Sequence, residues 1–148
     1  MAYEVSESIM IAAPPEKVWA VLTDLPGYPA WHPAYQEVTG QLTVGSVLTI
    51  RTTSPSTGNP VKLKVTVTAV EPASELRWAS KVLGMTVITR RFLLRPADGG
   101  TELTQAGTYR WLGGSRGRGG ARGALKTVSN LQDGYREIGE AVKRQAEA

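Results

Sequence analysis

The spacing of apolar residues divides the chain into a region of predicted strands between two helical regions. Residues 3–11 are β-prone, with Val5, Ile9 and Ile11 on one parity, and a short helical stripe follows. Apolar and polar residues then alternate, and the spacing of apolar residues becomes helical from about residue 122. The period-two segments predict further strands near 35–41, 46–53, 61–71, 75–82, 86–95 and 101–111. The predicted order is one strand, a short helical region, six strands and one long helix.

The segment 61–71 shows the alternation most clearly. Val61, Leu63, Val65 and Val67 share one face, and lysine and threonine residues fill the other. One buried face and one solvated face are typical of an antiparallel sheet. We therefore expect the strands to form such a sheet.

The short helical region has recognisable start and stop signals. Pro14 and Pro15 are tolerated in a first helical turn, and Glu16 is favourable beside the positive end of a helix dipole. Pro26 and Gly27 end the helix after about two turns. A helix this short depends on packing against its neighbours for its stability.

The C-terminal helix is predicted to be amphipathic, because its apolar residues recur at steps of three and four. Gly134 and Gly139 interrupt it, and each glycine costs up to ~1 kcal/mol relative to alanine unless another part of the protein approaches closely there. The apolar stripe consists of Leu125, Val128, Leu131, Tyr135, Ile138 and Val142.

These elements predict a single α+β domain over residues 1–148. Seven strands with one apolar face form a strongly curved sheet, and one long helix covers that face. The helix and the short helical region leave part of the concave face uncovered. Either large side chains fill this space or it remains open as a pocket.

Composition removes several classes of function. The chain has no cysteine, which excludes disulfides, thiolate metal sites and a cysteine nucleophile, and a single histidine argues against zinc. No phosphate-binding glycine motif is present, and we predict no cofactor and no metal. The N-terminus lacks the features of a signal peptide, and apolar runs fall well short of the ~20 residues of a membrane helix. We expect a cytoplasmic protein without a membrane span.

The net charge of +4 is concentrated in one segment. Residues 110–126 contain five cationic residues and no acidic one. Arginine-glycine segments such as 113–123 bind RNA through charge and arginine stacking, although here no aromatic residue lies between the arginines. The alternatives are a solvated loop before the last helix or a flexible gate formed by 112–121. Nucleic-acid binding is therefore not the favoured function.

Four parts of the chain together resemble the START-like superfamily, the polyketide cyclase/dehydrase and lipid-transport group. They are IAAPPEKVWAVLTDLPGYPAWHP, AVEPASELRW, RFLLRPADGGTELTQ and the closing helix, in the family's order and spacing. The resemblance covers nearly the whole chain and implies the helix-grip fold. In that fold a seven-stranded antiparallel sheet grips the C-terminal helix around a cavity, with two short helices after the first strand. Residues 26–33 would then form the wall and rim of the cavity mouth.

Strand parity supplies candidate ligand contacts independently of this resemblance. In the segment 86–95, Arg90 shares the more apolar face with Ile88 and Phe92, so it is predicted to point inward. A buried, unpaired cation costs several kcal/mol, so Arg90 requires an acid, water or an anionic group of a ligand. The alternatives are that a bulge turns Arg91 inward instead, or that Arg90 pairs within the protein.

The strand 101–111 carries hydrogen-bonding groups on its inward face, as small-molecule pockets commonly do. Trp78 and Tyr135 project from another strand and from the long helix. The alternative is that the aromatic residues are core residues only. The predicted ligand-binding residues are Trp31, Trp78, Arg90, Phe92, Gln105, Tyr109, Trp111 and Tyr135.

His32 is the only side chain whose ordinary pKa lies near neutrality, so it is a candidate general acid or base at the cavity mouth. The alternative is a structural histidine at the rim, beside Pro33. Together with Arg90 and Tyr109, it completes the set of candidate catalytic residues.

The favoured function is binding or transport of a small hydrophobic molecule, such as a lipid, polyketide or aromatic metabolite. The alternative is an enzyme of the polyketide cyclase or aromatase type, in which the pocket orients a reactive chain. Arg90, Gln105 and Tyr109 would then polarise its carbonyl groups. Nucleic-acid or anionic-surface binding through 113–123 is the third hypothesis, and both a monomer and a homodimer are compatible with the sequence.

Overall fold

The structure, a computed structural model, describes residues 2–53, 58–82, 85–110 and 120–148. Within these residues it contains a sheet, two short α-helices joined by a single 3-10 turn (Leu25–Gly27), and a long C-terminal helix. The strands are β1 (Ala2–Ile11), β2 (Glu37–Thr39), β3 (Val47–Thr53), β4 (Pro60–Glu71), β5 (Glu75–Val82), β6 (Met85–Ala97) and β7 (Gly100–Arg110). The helices are α1 (Pro15–Thr23), α2 (Tyr28–Trp31) and α3 (Gly120–Glu147).

The strands form a single seven-stranded antiparallel sheet in the order β1-β7-β6-β5-β4-β3-β2. Strands β2 to β7 follow one another as a meander, and β1 pairs with β7. The register shifts between Val67 and Ala69 and between Ser80 and Lys81. Such bulges increase the local twist of a sheet. The predicted fold class and sheet are confirmed.

The largest difference from the predicted boundaries is at β2, which is shorter than the predicted strand 35–41. The backbone N–H groups of Ala34 and Tyr35 donate to Nδ1 of His32, each at 3.0 Å, and are therefore not available to the sheet. At the other end Gly40 has a φ of +129°, outside the strand region. The long helix also begins slightly earlier than predicted, at Gly120.

The core lies between the concave face of the sheet, α1 and the C-terminal half of α3. Val18 and Leu22 of α1 and Val142 of α3 are completely buried. Trp19 packs against this core and is partly buried.

The C-terminal end of α3 is fastened to the chain between β1 and α1. Lys143 Nζ donates to the Met10 carbonyl at 3.1 Å and to Glu147 Oε2 at 2.6 Å. The same carboxylate oxygen accepts the Ala12 N–H at 2.7 Å. These hydrogen bonds, from Lys143 and then from Ala12, lower the pKa of Glu147. No helix in the described part of the chain is both long and apolar enough to cross a membrane.

Candidate functional site

Arg90 lies on the inward face of β6, as strand parity predicted. It is 5% exposed, and its cross-strand neighbours are Trp78 and Gly107. Arg91 lies on the other face and approaches Glu75 at 3.3 Å. The alternative in which Arg91 points inward is therefore wrong.

Arg90 is buried without a carboxylate partner in the described part of the chain. Its Nη2 donates to Oε1 of Gln105 at 3.1 Å, which is a hydrogen bond to a neutral amide. Its Nη1 is buried and has no hydrogen-bond partner among the described residues. An unsatisfied buried donor costs about 1–3 kcal/mol, and more when the group is charged. Arg90 is thus only partly compensated by the protein.

Two aromatic rings compensate part of this charge. The guanidinium carbon of Arg90 lies 3.9 Å from the ring centroid of Tyr135 and 4.8 Å from that of Phe92. Cations are attracted to the faces of such rings, by up to about 2 kcal/mol where water is excluded. These contacts fix the plane of the guanidinium while leaving Nη1 unbonded.

Three tyrosines surround the same cation. The hydroxyl groups of Tyr109 and Tyr135 are 2.5 Å apart. The Tyr35 side chain is hydrogen-bonded to Arg90 and also lies within the influence of its positive charge. Burial raises the pKa of Tyr35 and of Tyr109, and the positive charge of Arg90 opposes this shift only in part. Both phenols therefore remain protonated at neutral pH. Arg90, Gln105, Tyr35, Tyr109 and Tyr135 are called the Arg90 cluster below.

Gln105 links the sheet to the long helix. It is 1% exposed, and its Nε2 donates to the Tyr135 carbonyl at 2.7 Å while its Oε1 accepts from Arg90. Gly107 makes room beside it, because a Cβ at this position would overlap the Tyr135 hydroxyl oxygen. The absence of a side chain at this position of β7 therefore allows Tyr135 to reach Tyr109.

His32 is a buried, neutral residue in an aromatic stack. Its ring lies parallel to that of Tyr35 at 3.9 Å and to that of Tyr28 at 5.8 Å. Burial, and then the charge of Arg90, lower the pKa of His32 to about 3. Its Nδ1 already accepts two backbone N–H groups, so this geometry favours the structural alternative over proton transfer at neutral pH.

The remaining aromatic candidates differ in their surroundings. Trp78 and Phe92 are each 2% exposed, pack with ring centroids 5.6 Å apart and belong to the core. Trp31 is partly buried beside Tyr28. Trp111 lies outside the described residues, as do the segment 111–119 and the side chains of 120–128, so the hypotheses about the arginine-glycine segment stay predictions.

The concave face is not equally covered on neighbouring strands. Ile50 and Leu63 are direct partners between β3 and β4 and therefore project from the same face. Ile50 is 1% exposed, whereas Leu63 is 38% exposed. The inner surface is thus more accessible at Leu63 of β4 than at Ile50 of β3. Among the described residues no group of acidic and histidine side chains is placed to hold a metal ion.

The sequence profile described as "Polyketide cyclase / dehydrase and lipid transport" matches residues 2–147. The chain belongs to this family. The matched range extends from β1 to α3. No curated protein sequence is significantly similar to the chain.

Solved structures with the same fold include aromatase/cyclases. The Zhui aromatase/cyclase from Streptomyces sp. R1128 has a TM-score of 0.76 and 20% identity, covering 99% of this chain and 94% of its own. The di-domain ARO/CYC proteins StfQ, of the steffimycin biosynthetic pathway, and BexL, of the BE-7585A pathway, have TM-scores of 0.74 and 0.76 and identities of 14% and 20%. The comparison covers 99% of this chain but 50% of each of those, so the chain spans half their length. At these identities the similarity shows the fold.

Within this polyketide cyclase/dehydrase and lipid-transport fold, the structure brings together five of the predicted residues. They are Arg90, Phe92, Gln105, Tyr135 and, through the hydroxyl of Tyr135, Tyr109. Tyr35, at the start of the predicted strand 35–41, is not among the predicted site residues. Its position in the aromatic run from Tyr28 to Tyr35 was the available signal.

Proposed function

We propose that this protein binds a small, largely hydrophobic molecule that carries an oxygen-containing polar group, and that Arg90 holds this group. The observation that carries the proposal is the buried guanidinium of Arg90, which has one unbonded nitrogen and no carboxylate partner in the described part of the chain. Burial of such a cation is unfavourable by several kcal/mol. A carbonyl, phenolate or carboxylate oxygen of a ligand would offset much of this cost.

The composition of the Arg90 cluster supports binding more than proton transfer. Tyr35 and Tyr109 have raised pKa values and His32 has a pKa of about 3, so these groups do not change charge near neutral pH. They supply neutral hydrogen-bond donors and acceptors around a fixed cation. An apolar surface with a few convergent polar groups is the usual composition of a small-molecule site.

A second candidate function is catalysis of the cyclase or aromatase type. A cation and phenolic donors that face an apolar surface can stabilise negative charge on a carbonyl oxygen, and a curved pocket can orient a reactive chain. The similarity in fold to proteins named aromatase/cyclase supports this candidate. Cyclisation of a linear poly-β-keto thioester analogue by the purified protein, slowed at least about tenfold by Arg90→Met, would establish it. A rate equal to that in buffer would exclude it for that substrate.

The binding proposal is tested with three ligands of nearly equal apolar size, which are 2-naphthoate, 2-acetylnaphthalene and 2-ethylnaphthalene. We expect calorimetric affinity to decrease in that order, by about tenfold or more between the first and the last. Arg90→Met should reduce the affinities of the two oxygen-containing ligands to that of 2-ethylnaphthalene. Arg91→Met is the matched control, because Arg91 lies on the outer face, and it should change none of them. Equal affinities for wild type and Arg90→Met would refute the proposal.

A further inference from the structure

A cleft of about 220 Å³ lies between β1, β7 and α3. Glu7 of β1 and Gly139 of α3 form parts of its walls, and the side chains of Gln105 and Tyr135 also line it. Gln105 and Tyr135 are members of the Arg90 cluster, and Gln105 is bonded directly to Arg90. The cleft therefore leads to the same buried polar groups that are proposed to hold a ligand.

The cleft has the size and polarity needed to contain water. A water molecule occupies about 30 Å³ in the liquid, so the space holds several. Glu7 is the direct cross-strand partner of Gln105, which places its carboxylate on the same face of the sheet. Ser8 and Glu140 supply further polar groups among the lining residues. Ordered water requires such partners, and the residues that line the cleft supply them.

An exposed ion pair lies at the rim of the cleft. Arg136 Nη2 contacts Glu7 Oε1 at 3.0 Å, and Nη1 contacts Asp133 Oδ1 at 3.1 Å. The Arg136 side chain is 59% exposed. Exposed pairs of this kind contribute only about 0–1 kcal/mol, so the contact between Glu7 and Arg136 opens and closes readily.

Gly139 keeps the helix side of the cleft open. A Cβ at Gly139 would lie 3.1 Å from Nε2 of Gln105 and 3.4 Å from Cγ2 of Ile9, so a side chain there would fill the space in front of Gln105. Gly134 belongs to the same helix but has no neighbouring heavy atom within 4 Å of its Cβ position. The two glycines thus provide a matched pair, one at the cleft and one away from it.

We propose that this cleft is a water port, through which water reaches Gln105 and the Arg90 cluster from between β1 and α3. An apolar ligand on the concave face would exclude water from its own side of the cluster. The port allows water and protons to exchange with the buried polar groups while such a ligand is bound. It rests on the cleft beside Gln105 and not on the chemistry of the ligand, so it holds whether a ligand is only bound or is also converted.

The test is the rate at which the Gln105 side-chain amide protons exchange with water, measured by NMR on 15N-labelled protein. Glu7→Ala removes the rim ion pair and should accelerate this exchange at least about fivefold. Gly139→Val fills the port and should slow it by a similar factor. Gly134→Val adds the same side chain away from the cleft and should leave the rate unchanged.

The backbone amide of Leu103, in the buried part of β7, is the internal reference for general loosening of the fold. Acceleration at Gln105 in Glu7→Ala with an unchanged rate at Leu103 supports the port. Equal acceleration at both positions, or no change at Gln105, overturns it. If Gly139→Val does not fold, the Glu7→Ala result decides alone.

Discussion

At the scale of single residues, the site is built from side chains that depart from their ordinary protonation or packing. Arg90 is a buried cation without an acid among the described residues, and His32 is a buried imidazole held neutral. Burial of each of these side chains lowers the free energy of unfolding by itself, and the surrounding packed groups hold both side chains in place. Such residues are enriched at functional sites.

His32 should make the stability of the protein depend on pH. Its pKa is about 3 in the folded protein and about 6.5 when unfolded, so the unfolded state binds the additional proton between these values. Stability is therefore complete above about pH 6.5 and declines as the pH falls toward 3. From pH 6 to pH 4 we expect a loss of about 2 kcal/mol attributable to His32. Urea denaturation at each pH measures it.

The matched variant is His32→Asn, whose side-chain oxygen can accept the same backbone N–H groups but does not titrate. It should show a smaller decline in the free energy of unfolding over the same pH range. An identical decline in the two proteins would mean that other groups cause it.

Gly107 should be required for the meeting of Tyr109 and Tyr135. Gly107→Ala places a methyl group over the Tyr135 hydroxyl oxygen and 2.9 Å from Cε2 of Tyr109, so Tyr135 must move. We expect a loss of about 1–3 kcal/mol in the free energy of unfolding, together with weaker binding of 2-naphthoate. Thermal unfolding and calorimetry measure these effects. If Gly107→Ala keeps the wild-type free energy of unfolding and the wild-type affinity for 2-naphthoate, Gly107 is not required for the contact between Tyr109 and Tyr135.

Strand parity was sufficient to identify Arg90, Gln105 and Tyr109 as neighbours on the inner face. Parity depends only on the two-residue repeat of a strand. The register shifts lie in β4 and, in β6, before Ile88, so they leave the repeat from Ile88 to Leu94 and the repeat of β7 undisturbed. The positions of Tyr35 and His32 could not be obtained in this way. They depend on ring stacking and on two hydrogen bonds to one imidazole nitrogen, which have no periodic signature in the sequence.

At the scale of elements, α3 connects the core to the site. Its C-terminal half carries Ile138 and Val142 into the core, whereas Tyr135 contacts the cation. Helical spacing of the apolar residues predicted this orientation. The sequence did not show which of the two glycines in the helix is close to another element, because this depends on how the helix lies across β1 and β7.

The two glycines should respond differently to alanine. Gly134→Ala should raise the free energy of unfolding by about 0.5–1 kcal/mol, because alanine favours the helix and the Cβ enters open space. Gly139→Ala should raise the free energy of unfolding by less than this, or lower it, because its Cβ would lie only 3.1 Å from Gln105 Nε2. Chemical denaturation of both variants gives the comparison. An equal increase in the free energy of unfolding of both variants would show that α3 does not pack closely against β7 at Gly139.

At the scale of the whole molecule, the concave face combines a well-packed region with a more accessible position on β4. The core residues of α1 and the last turns of α3 are almost completely buried, whereas Leu63 on the same concave face is 38% exposed. The family and fold were predictable from four ordered segments of sequence. The ligand was not, because the same architecture accommodates many functions and only the side chains of the site distinguish them.

The stability of the whole protein should be limited by the cation that its proposed function requires. If Arg90 is kept for a ligand, the ligand-free protein should be more stable without it. Arg90→Met should therefore raise the free energy of unfolding by about 1–2 kcal/mol, since a hydrophobic side chain of similar length often stabilises a site that buries a charge. Part of the gain is lost because Oε1 of Gln105 no longer has this donor.

Urea denaturation without ligand measures the change, and Arg91→Met, on the outer face, should stay within about 0.5 kcal/mol of wild type. A loss of about 3–5 kcal/mol in Arg90→Met would instead indicate that Arg90 belongs to a satisfied internal pair, because this is the usual effect of breaking one.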